Sequence, residues 1–416
     1  MFAALGLLGL PLVFALPRWS GRKRMGLMIL GALALRVALF PAPASDDVNR
    51  YLWEGRLVLM GENPYAVKAD DPSRAAFRDQ VWEGMNHKNI TSVYPPGNQW
   101  LSAAAVWVAY EPWPFKLLVC LGDLAVLMLV ITLLRRTGSP LEWAGFYAFN
   151  PVPLIAFAAE GHPDSLMMAA VCWMVLAAES GKWRLAWLLL AVAVQIKLVP
   201  VLLAPLLFRR DQVRHLWIPA LVLLVPGLPF VGAASAWIEG LQKFAGWVSF
   251  NSPVRGILSW AGVPRDWAKW IASILLGTAA VSAFLAHRRG LPLRHACLTV
   301  MGALVICAPF THFWYLSWVM PLVALRPSLG WVVASIMQSG YFIAWWGQEF
   351  GEGWGFSPVY PLIVWLPALL AFAMQQRGLP EPLQRVFGHR RLFEFSGTDG
   401  SEQRPCLADP RQDSET

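Results

Sequence analysis

The stretch FKLLVCLGDLAVLMLVITLL, from Phe115 to Leu134, decides the class of fold. A membrane-spanning helix needs about 20 consecutive, mostly apolar residues to cross a hydrocarbon core of roughly 30 Å. The stretch has that length and contains two charged residues, Lys116 and Asp123. Arg135 and Arg136 follow it directly, and basic residues at one end of a span are typical of its cytoplasmic side. The stretch therefore predicts a membrane-spanning helix.

Similar apolar runs recur along the chain. The 416 residues are 56% hydrophobic and only 14% charged, whereas a soluble domain carries about 25% charged residues. The clearest further runs are 25–42, 185–208, 216–231, 267–286, 296–310, 331–346 and 360–374, and shorter ones are 2–17, 99–110, 143–159, 166–178 and 313–325. They predict an all-α polytopic membrane protein with about 11–13 transmembrane or re-entrant helices.

The distribution of charges and cysteines argues against two other classes of protein, namely nucleic-acid-binding proteins and domains stabilised by disulfides or metal. The net charge of +8 comes from short basic clusters at the ends of apolar runs, which is the pattern of cytoplasmic span ends and not of a nucleic-acid surface. The five cysteines are scattered without paired or metal-type spacing, so we predict no disulfide framework and no metal.

The basic clusters also suggest an orientation. Residues 1–17 lack a leading basic region and are followed by Arg18, Arg22, Lys23 and Arg24, so we interpret them as a first span and not as a signal peptide. The next span then places the polar segment 43–97 outside, as a structured first external loop. Working back from the basic tail places 311–312 and 234–266 outside as well.

Polar segments should alternate between the two sides of the membrane with each span, but this pattern fails in the middle of the chain. The charges place 160–165 and 209–214 on opposite sides, although the two apolar runs between them would return the chain to the same side. A break at Lys197 and Pro200 would restore the alternation, because proline removes a helical hydrogen bond and a lysine in the bilayer favours a polar cavity. The alternative is that Lys197 reaches the interface from an intact helix. Residues 99–110 are a second candidate for a segment that enters the membrane and returns.

Three polar groups fall on the predicted external side. Ser45 is a plausible N-cap for a helix whose first turn holds Asp46 and Asp47, and these carboxylates could act as a general base, bind a cation, or simply favour the helix dipole and pair with Arg50. EGHPD at 160–164 could be an acid/base group, an incomplete metal site or a plain polar junction. His312 lies in THFWY at 311–315, where Trp314 and Tyr315 are typical of an interfacial aromatic belt.

Together these motifs resemble a known family. DDVNRYLWEGRLVLMGENPY (46–65), YPPG (94–97), EGHPDS (160–165), KLVP (197–200) and THFWY (311–315) are similar to motifs of the bacterial polyprenyl-phosphate-mannose-dependent mannosyltransferases of the GT-C class. The resemblance spans roughly 45–318. It departs at Pro163 and Glu54, where family members often have Asn and Asp.

The resemblance implies an enzyme that transfers a hexose, with mannose as the expected sugar, from a polyprenyl-phosphate-linked donor. Asp46 or Asp47 would take the proton of an acceptor hydroxyl that attacks the anomeric carbon with inversion, and no cofactor is implied. Lys197, Arg50 and His312 are candidates to bind the leaving phosphate. The remaining candidate substrate-binding residues are Tyr51, Glu54, Arg56, Tyr65, His162 and Asp164.

The implied acceptor is a glycan or glycolipid at the external face of a bacterial cytoplasmic membrane. The catalytic domain would comprise 1–392, with 43–97 as its catalytic loop, and 393–416 would form a disordered cytoplasmic tail. A secondary transporter or lipid flippase is the alternative from another class, although the charges cluster at one surface and no second half mirrors the first. Arabinose, glucose or another lipid-linked sugar remains open as well.

Overall fold

A computed structural model describes residues 21–246, 250–342 and 359–380 together with 383, 384 and 387. The predicted first span at 2–17 and the tail at 393–416 lie outside the described residues. Within them the chain is helical and forms no strand, and Phe250 and Phe310 pair in one isolated bridge. The all-α membrane class predicted from the sequence is confirmed.

The longer elements are α-helices of eight residues or more. They are α1 (Gly21–Leu39), α2 (Asp46–Leu59), α3 (Pro96–Val108), α4 (Pro112–Arg136), α5 (Glu142–Phe149), α6 (Asp164–Glu179), α7 (Trp183–Ile196), α8 (Trp217–Leu224), α9 (Ala234–Ala245), α10 (Pro253–Trp260), α11 (Arg265–Arg288), α12 (Leu293–Cys307), α13 (Leu329–Met337) and α14 (Val359–Arg377).

Short helical turns connect them. Single α-turns are Gln80–Glu83, Pro151–Pro153, Ala204–Leu207 and Met320–Leu325; 3₁₀ segments are Pro72–Phe77, Val199–Leu203, Arg210–His215, Val225–Ala233, Phe313–Trp318 and Gln338–Gly340; Leu154–Ala159 is a π-helix.

Three helical stretches of the described chain are long and apolar enough to cross a bilayer: Pro112–Arg136, Trp217–Ala245 and Arg265–Arg288. The first contains the run 115–134. The second extends beyond the predicted run 216–231, because Pro226, Gly227 and Pro229 convert the helix to a 3₁₀ turn without ending it. This stretch therefore continues to Ala245, into the segment 234–266 that was expected to lie outside. Several other apolar helices are shorter than a full span, and the count of 11–13 stays a prediction.

The predicted break at Lys197 is confirmed. Helix α7 ends at Ile196, and Lys197 adopts an extended conformation with φ −152° and ψ 139°. A 3₁₀ segment follows from Val199, with Pro200 at its start. The chain thus changes direction where a lysine and a proline interrupt the apolar sequence. Residues 99–108 show no such break, because they lie within one helix, α3, which runs from Pro96 to Val108.

A buried ion pair fixes α1 to α4. The Nε of Arg36 donates to Asp123 at 2.6 Å, and the hydroxyl of Tyr147 donates to the same carboxylate at 2.7 Å. Arg36 also donates to the carbonyls of Ala32 and Ala148. The charges in this apolar region are thereby paired and hydrogen-bonded, as burial of an ion pair requires.

The segment 43–97 folds against one end of this bundle. Trp53 and Leu57 of α2 bury their side chains against Ala69 and Met85 of the following loop. Arg74 closes the loop by donating to Glu62 at 2.6 Å and to the carbonyl of Asn63 at 2.7 Å. The first loop is therefore a packed unit, as predicted, and it presents the start of α2 to the rest of the site.

Candidate functional site

A cavity of about 780 Å³ opens at the start of α2. Five of the side chains predicted to be functional line it, namely Asp46, Asp47, Arg50, Lys197 and His312. These residues come from segments separated by up to 266 positions, so the fold gathers them. A cavity of this size is in the range of small-molecule sites.

The first turn of α2 positions the two aspartates. Ser45 caps the helix by accepting a hydrogen bond at its Oγ from the amide of Asp47, as expected. The amide of Ser45 donates to the carbonyl of Glu160 at 3.0 Å, which ties the helix start to the EGHPD loop. Asn86 donates to Oδ1 of Asp47 at 2.6 Å, and Ser45 donates to Asp46 at 3.2 Å.

The pKa values of Asp46 and Asp47 are shifted in opposite directions. Burial and the neighbouring charge of Asp47 raise the pKa of Asp46. Burial also opposes ionisation of Asp47, but the electrostatic interaction with His162 and the hydrogen bond from Asn86 outweigh it and lower the pKa of Asp47. The pKa values of two adjacent carboxylates commonly move apart in this way, because one negative charge disfavours the second. Asp47 is the carboxylate that stays ionised.

Two histidines and a tryptophan form a stack beside Asp47. The ring of His162 lies on one face of Trp314 at 4.0 Å and 16°, and the ring of His312 stacks on Trp314 at 4.2 Å and 7°. His162 is completely buried. Its Nδ1 lies 3.6 Å from Oδ2 of Asp47, and its Nε2 lies 3.0 Å from Glu160.

A local backbone pairing holds His312 in this stack. The amide of Phe250 donates to the carbonyl of Pro309 at 3.2 Å, and the amide of Thr311 donates to the carbonyl of Phe250 at 2.9 Å. The Nδ1 of His312 lies 2.9 Å from the hydroxyl of Tyr341. Burial lowers the pKa of His312 to about 3, so the ring is neutral at physiological pH.

Lys197 reaches the cavity because its helix ends there. Its ammonium donates to Oδ1 of Asp164 at 2.7 Å and lies over the rings of Tyr315 and Trp318 at 4.9 and 5.1 Å. The indole of Trp318 donates to the same oxygen of Asp164. Asp164 does not line the cavity, and its ion pair with Lys197 fixes the position of the ammonium group.

Arg50 is placed differently from the expectation. It does not pair with Asp46 but with Glu54, one turn later, at 2.8 Å. Its other donors reach the carbonyls of Asn86, His87 and Ile90. His87 has a φ of 49°, which is uncommon for a residue other than glycine. Arg50 therefore stabilises the turn that directs Asn86 at Asp47, and most of its hydrogen-bonding capacity is used within the protein.

The other predicted substrate-binding residues of the loop also make protein contacts. Glu54 accepts hydrogen bonds from Arg50, Ser92 and Gln99. Tyr51 and Tyr65 donate to the hydroxyl and the carbonyl of Tyr94. Arg56 pairs with Asp79 and lies over Tyr110. None of these four lines the cavity. Glu54, Tyr51 and Tyr65 support the wall residues Arg50 and Tyr94, whereas Arg56 contacts neither of them.

The structure adds cavity residues that the sequence reasoning missed. Arg265, at the first residue of α11, lines the cavity and donates to the carbonyl of Gly246 at 3.0 Å. The signal was available, because a basic residue at the start of an apolar run on the predicted external side departs from the positive-inside pattern. Trp314 was interpreted as part of an interfacial belt but occupies the centre of the histidine stack.

The cavity also has an apolar half. Its wall is formed by side chains from the end of α9 to the loop after α12, which are Leu241, Phe244, Phe250, Leu304, Ala308, Pro309 and Phe310. Leu198 and Val199 extend this surface from the broken end of α7. One compartment therefore offers carboxylates, cations and an apolar wall together. No cluster of three or more potential metal ligands occurs in the described ranges, and the predicted independence of metal stays a prediction.

The fold and the cavity define a membrane protein with a polar site at one end of an interrupted helical bundle. Residues 9–209 match the sequence profile of the family described as alpha-(1->6)-mannopyranosyltransferase, N-terminal domain. Over these residues the chain is similar to that family, and the resemblance to the mannosyltransferases is confirmed. The match and the apolar helices together support a membrane glycosyltransferase. No curated protein sequence matches the chain.

Proposed function

We propose that the protein is a GT-C-type enzyme that transfers mannose from a polyprenyl-phosphate-linked donor to a hydroxyl of a glycan or glycolipid. The reaction takes place at the external face of the membrane, which is a bacterial cytoplasmic membrane. The observation that carries the proposal is a cavity that is lined both by Asp46 and Asp47 and by many apolar side chains. A polyprenyl donor needs such a wall, whereas a nucleotide-linked sugar does not.

Asp47 is proposed as the general base. It lines the cavity, stays ionised because its pKa is lowered, and is fixed by Asn86 on one oxygen with His162 near the other. It takes the proton of the acceptor hydroxyl as the oxygen forms its bond to the anomeric carbon. The bond from that carbon to the donor phosphate breaks, and its electron pair leaves with the phosphate. Attack opposite the leaving group inverts the anomeric configuration.

The developing phosphate charge needs cationic donors. Arg265 and Lys197 line the cavity beside its apolar half. Arg50 is a weaker candidate than the sequence indicated because its guanidinium holds Glu54 and three carbonyls. His312 is neutral and can serve only as a hydrogen-bond partner. We assign phosphate binding to Arg265, assisted by Lys197.

A transfer assay tests the proposal. Purified protein in detergent receives polyprenyl-phosphate-mannose and a panel of mannoside acceptors, and both the lengthened glycan and the released polyprenyl phosphate are quantified. We expect the two products in equal amounts and none from a nucleotide-linked mannose alone. Transfer from the nucleotide sugar without lipid would overturn the donor assignment. Movement of unaltered lipid-linked sugar across vesicles, with no transfer, would instead support a flippase.

A further inference from the structure

The carboxylate of Glu160 lies next to His162 and does not line the cavity. Glu160 and Asp47 approach opposite nitrogens of the same imidazole, at 3.0 Å from Nε2 and 3.6 Å from Nδ1 of His162. The Nδ1 atom is buried and has no hydrogen-bond partner in the structure. Unpartnered buried polar atoms are uncommon in proteins, and this one faces the proposed base.

The arrangement fixes the hydrogen positions on the ring. A carboxylate at Nε2 favours the tautomer with its proton on Nε2, because the N–H then donates to Glu160. Nδ1 is then the basic nitrogen, and it is directed at Asp47. The stack on Trp314 keeps the ring plane in place. Glu160 thus has the role of a carboxylate that orients an imidazole base, and Asp47 is a further carboxylate at the basic nitrogen of the same ring.

The reaction produces a proton that the base must dispose of. Resting on the proposed function, we propose that His162 accepts this proton from Asp47 and that Glu160 orients and charge-stabilises the ring. The acceptor O–H bond breaks, its proton passes to Asp47 and from there to Nδ1, and its electron pair forms the new glycosidic bond. The imidazolium is held between two carboxylates until the products leave. The proton then returns through Asp47 to water in the emptied cavity.

Other titratable groups surround the ring and must be separated from it. Asp46 and Asp47 face it from α2, Glu160 from its own loop, and His312 lies across Trp314. His87 and Lys197 contribute charge at the same site. Burial lowers the pKa of His312 to about 3, so this ring stays neutral over the pH range of the assay. Asp46, with its raised pKa, is therefore the main competitor for an acidic limb in the rate profile.

The test compares pH–rate profiles of the wild type with Glu160→Gln, His162→Gln and Asp46→Asn. We expect an acidic limb in the wild-type kcat profile that depends on both His162 and Glu160. Glu160→Gln keeps a hydrogen-bond acceptor at Nε2 but removes the charge that favours imidazolium. Its acidic limb should move to lower pH by at least half a unit. Glu239→Gln, which alters an exposed carboxylate, is the matched control and should not move it.

His162→Gln should abolish that limb and lower kcat about 10-fold to 100-fold at neutral pH, with little change in the KM of the donor. Asp46→Asn should retain the limb. An acidic limb that is unchanged in both Glu160→Gln and His162→Gln would overturn the proposal while leaving sugar transfer intact. Absence of transfer by the wild type would instead refute the proposed function itself. Glu160 is partly exposed, so its isosteric variant provides a reading even if His162→Gln fails to fold.

Discussion

Lys197 and Asp164 form an ion pair in which Nζ donates to Oδ1 at 2.7 Å, with the carboxylate fully buried. The pair joins the broken end of α7 to the first residue of α6. It explains how a lysine is tolerated within an apolar segment, since the helix ends at Ile196 and the ammonium finds a carboxylate and two aromatic rings. The same contact presents Lys197 to the cavity.

Removal of this lysine should destabilise the protein. Lys197→Met leaves a buried carboxylate without its counter-charge, and breaking a buried pair from one side costs about 3 kcal/mol or more. We expect a clear fall in the unfolding midpoint of the detergent-solubilised protein. Lys243→Met, which opens an exposed pair with Glu239, should cost under about 1 kcal/mol. Adding Asp164→Asn to Lys197→Met should restore part of the loss; equal effects of Lys197→Met and Lys243→Met would refute this role.

Arg265 provides a test of the phosphate assignment. A hydrogen bond to a charged group contributes about 1.5–3 kcal/mol, so Arg265→Gln should raise the KM of the lipid-linked donor about 10-fold to 100-fold. The KM of the acceptor should change little. Arg209→Gln removes an arginine from an exposed pair with Asp211 and serves as the control. An unaltered donor KM in Arg265→Gln would show that the phosphate binds elsewhere.

His312 should make the folded protein sensitive to acid. Its pKa is lowered by burial from 6.5 to about 3, so between these values the unfolded chain binds a proton that the folded protein does not. The contribution of His312 to stability is therefore fully present above pH 6.5 and declines as the pH falls through this window, by up to about 1.4 kcal/mol per pH unit. His312→Gln should reduce the loss of unfolding midpoint between pH 7 and 5.5. An identical loss in the variant would exclude His312 as the cause.

The sequence predicted those features that depend on local pattern. Apolar length identified the helix over 115–134, and the coincidence of Lys197 with Pro200 located the break. Ser45 before two aspartates predicted the helix start. Each of these follows from residues that are close in the chain, where spacing and proline chemistry act directly.

Features that depend on tertiary contact were less accessible. Arg50 could pair with Asp46 or Glu54 by spacing alone, and the choice follows from the turn at Asn86 and His87 that it stabilises. Trp314 has the sequence environment of an interfacial aromatic residue, yet the loop after α12 inserts it between His162 and His312. Arg265 reaches the cavity only because α11 begins beside Gly246. Such positions cannot be read from one sequence without knowledge of which segments meet.

In the proposed mechanism Asp47 is the base that activates the acceptor hydroxyl. The most direct test is the single-turnover rate of mannosyl transfer by Asp47→Asn, measured with saturating lipid-linked donor and compared with Asp46→Asn. The amide keeps the shape of the side chain but cannot take a proton. We predict a loss of about 10³-fold for Asp47→Asn with donor binding retained, and a loss of about 10-fold for Asp46→Asn. A rate for Asp47→Asn within 10-fold of the wild type, or the reverse order of the two variants, would contradict the assignment.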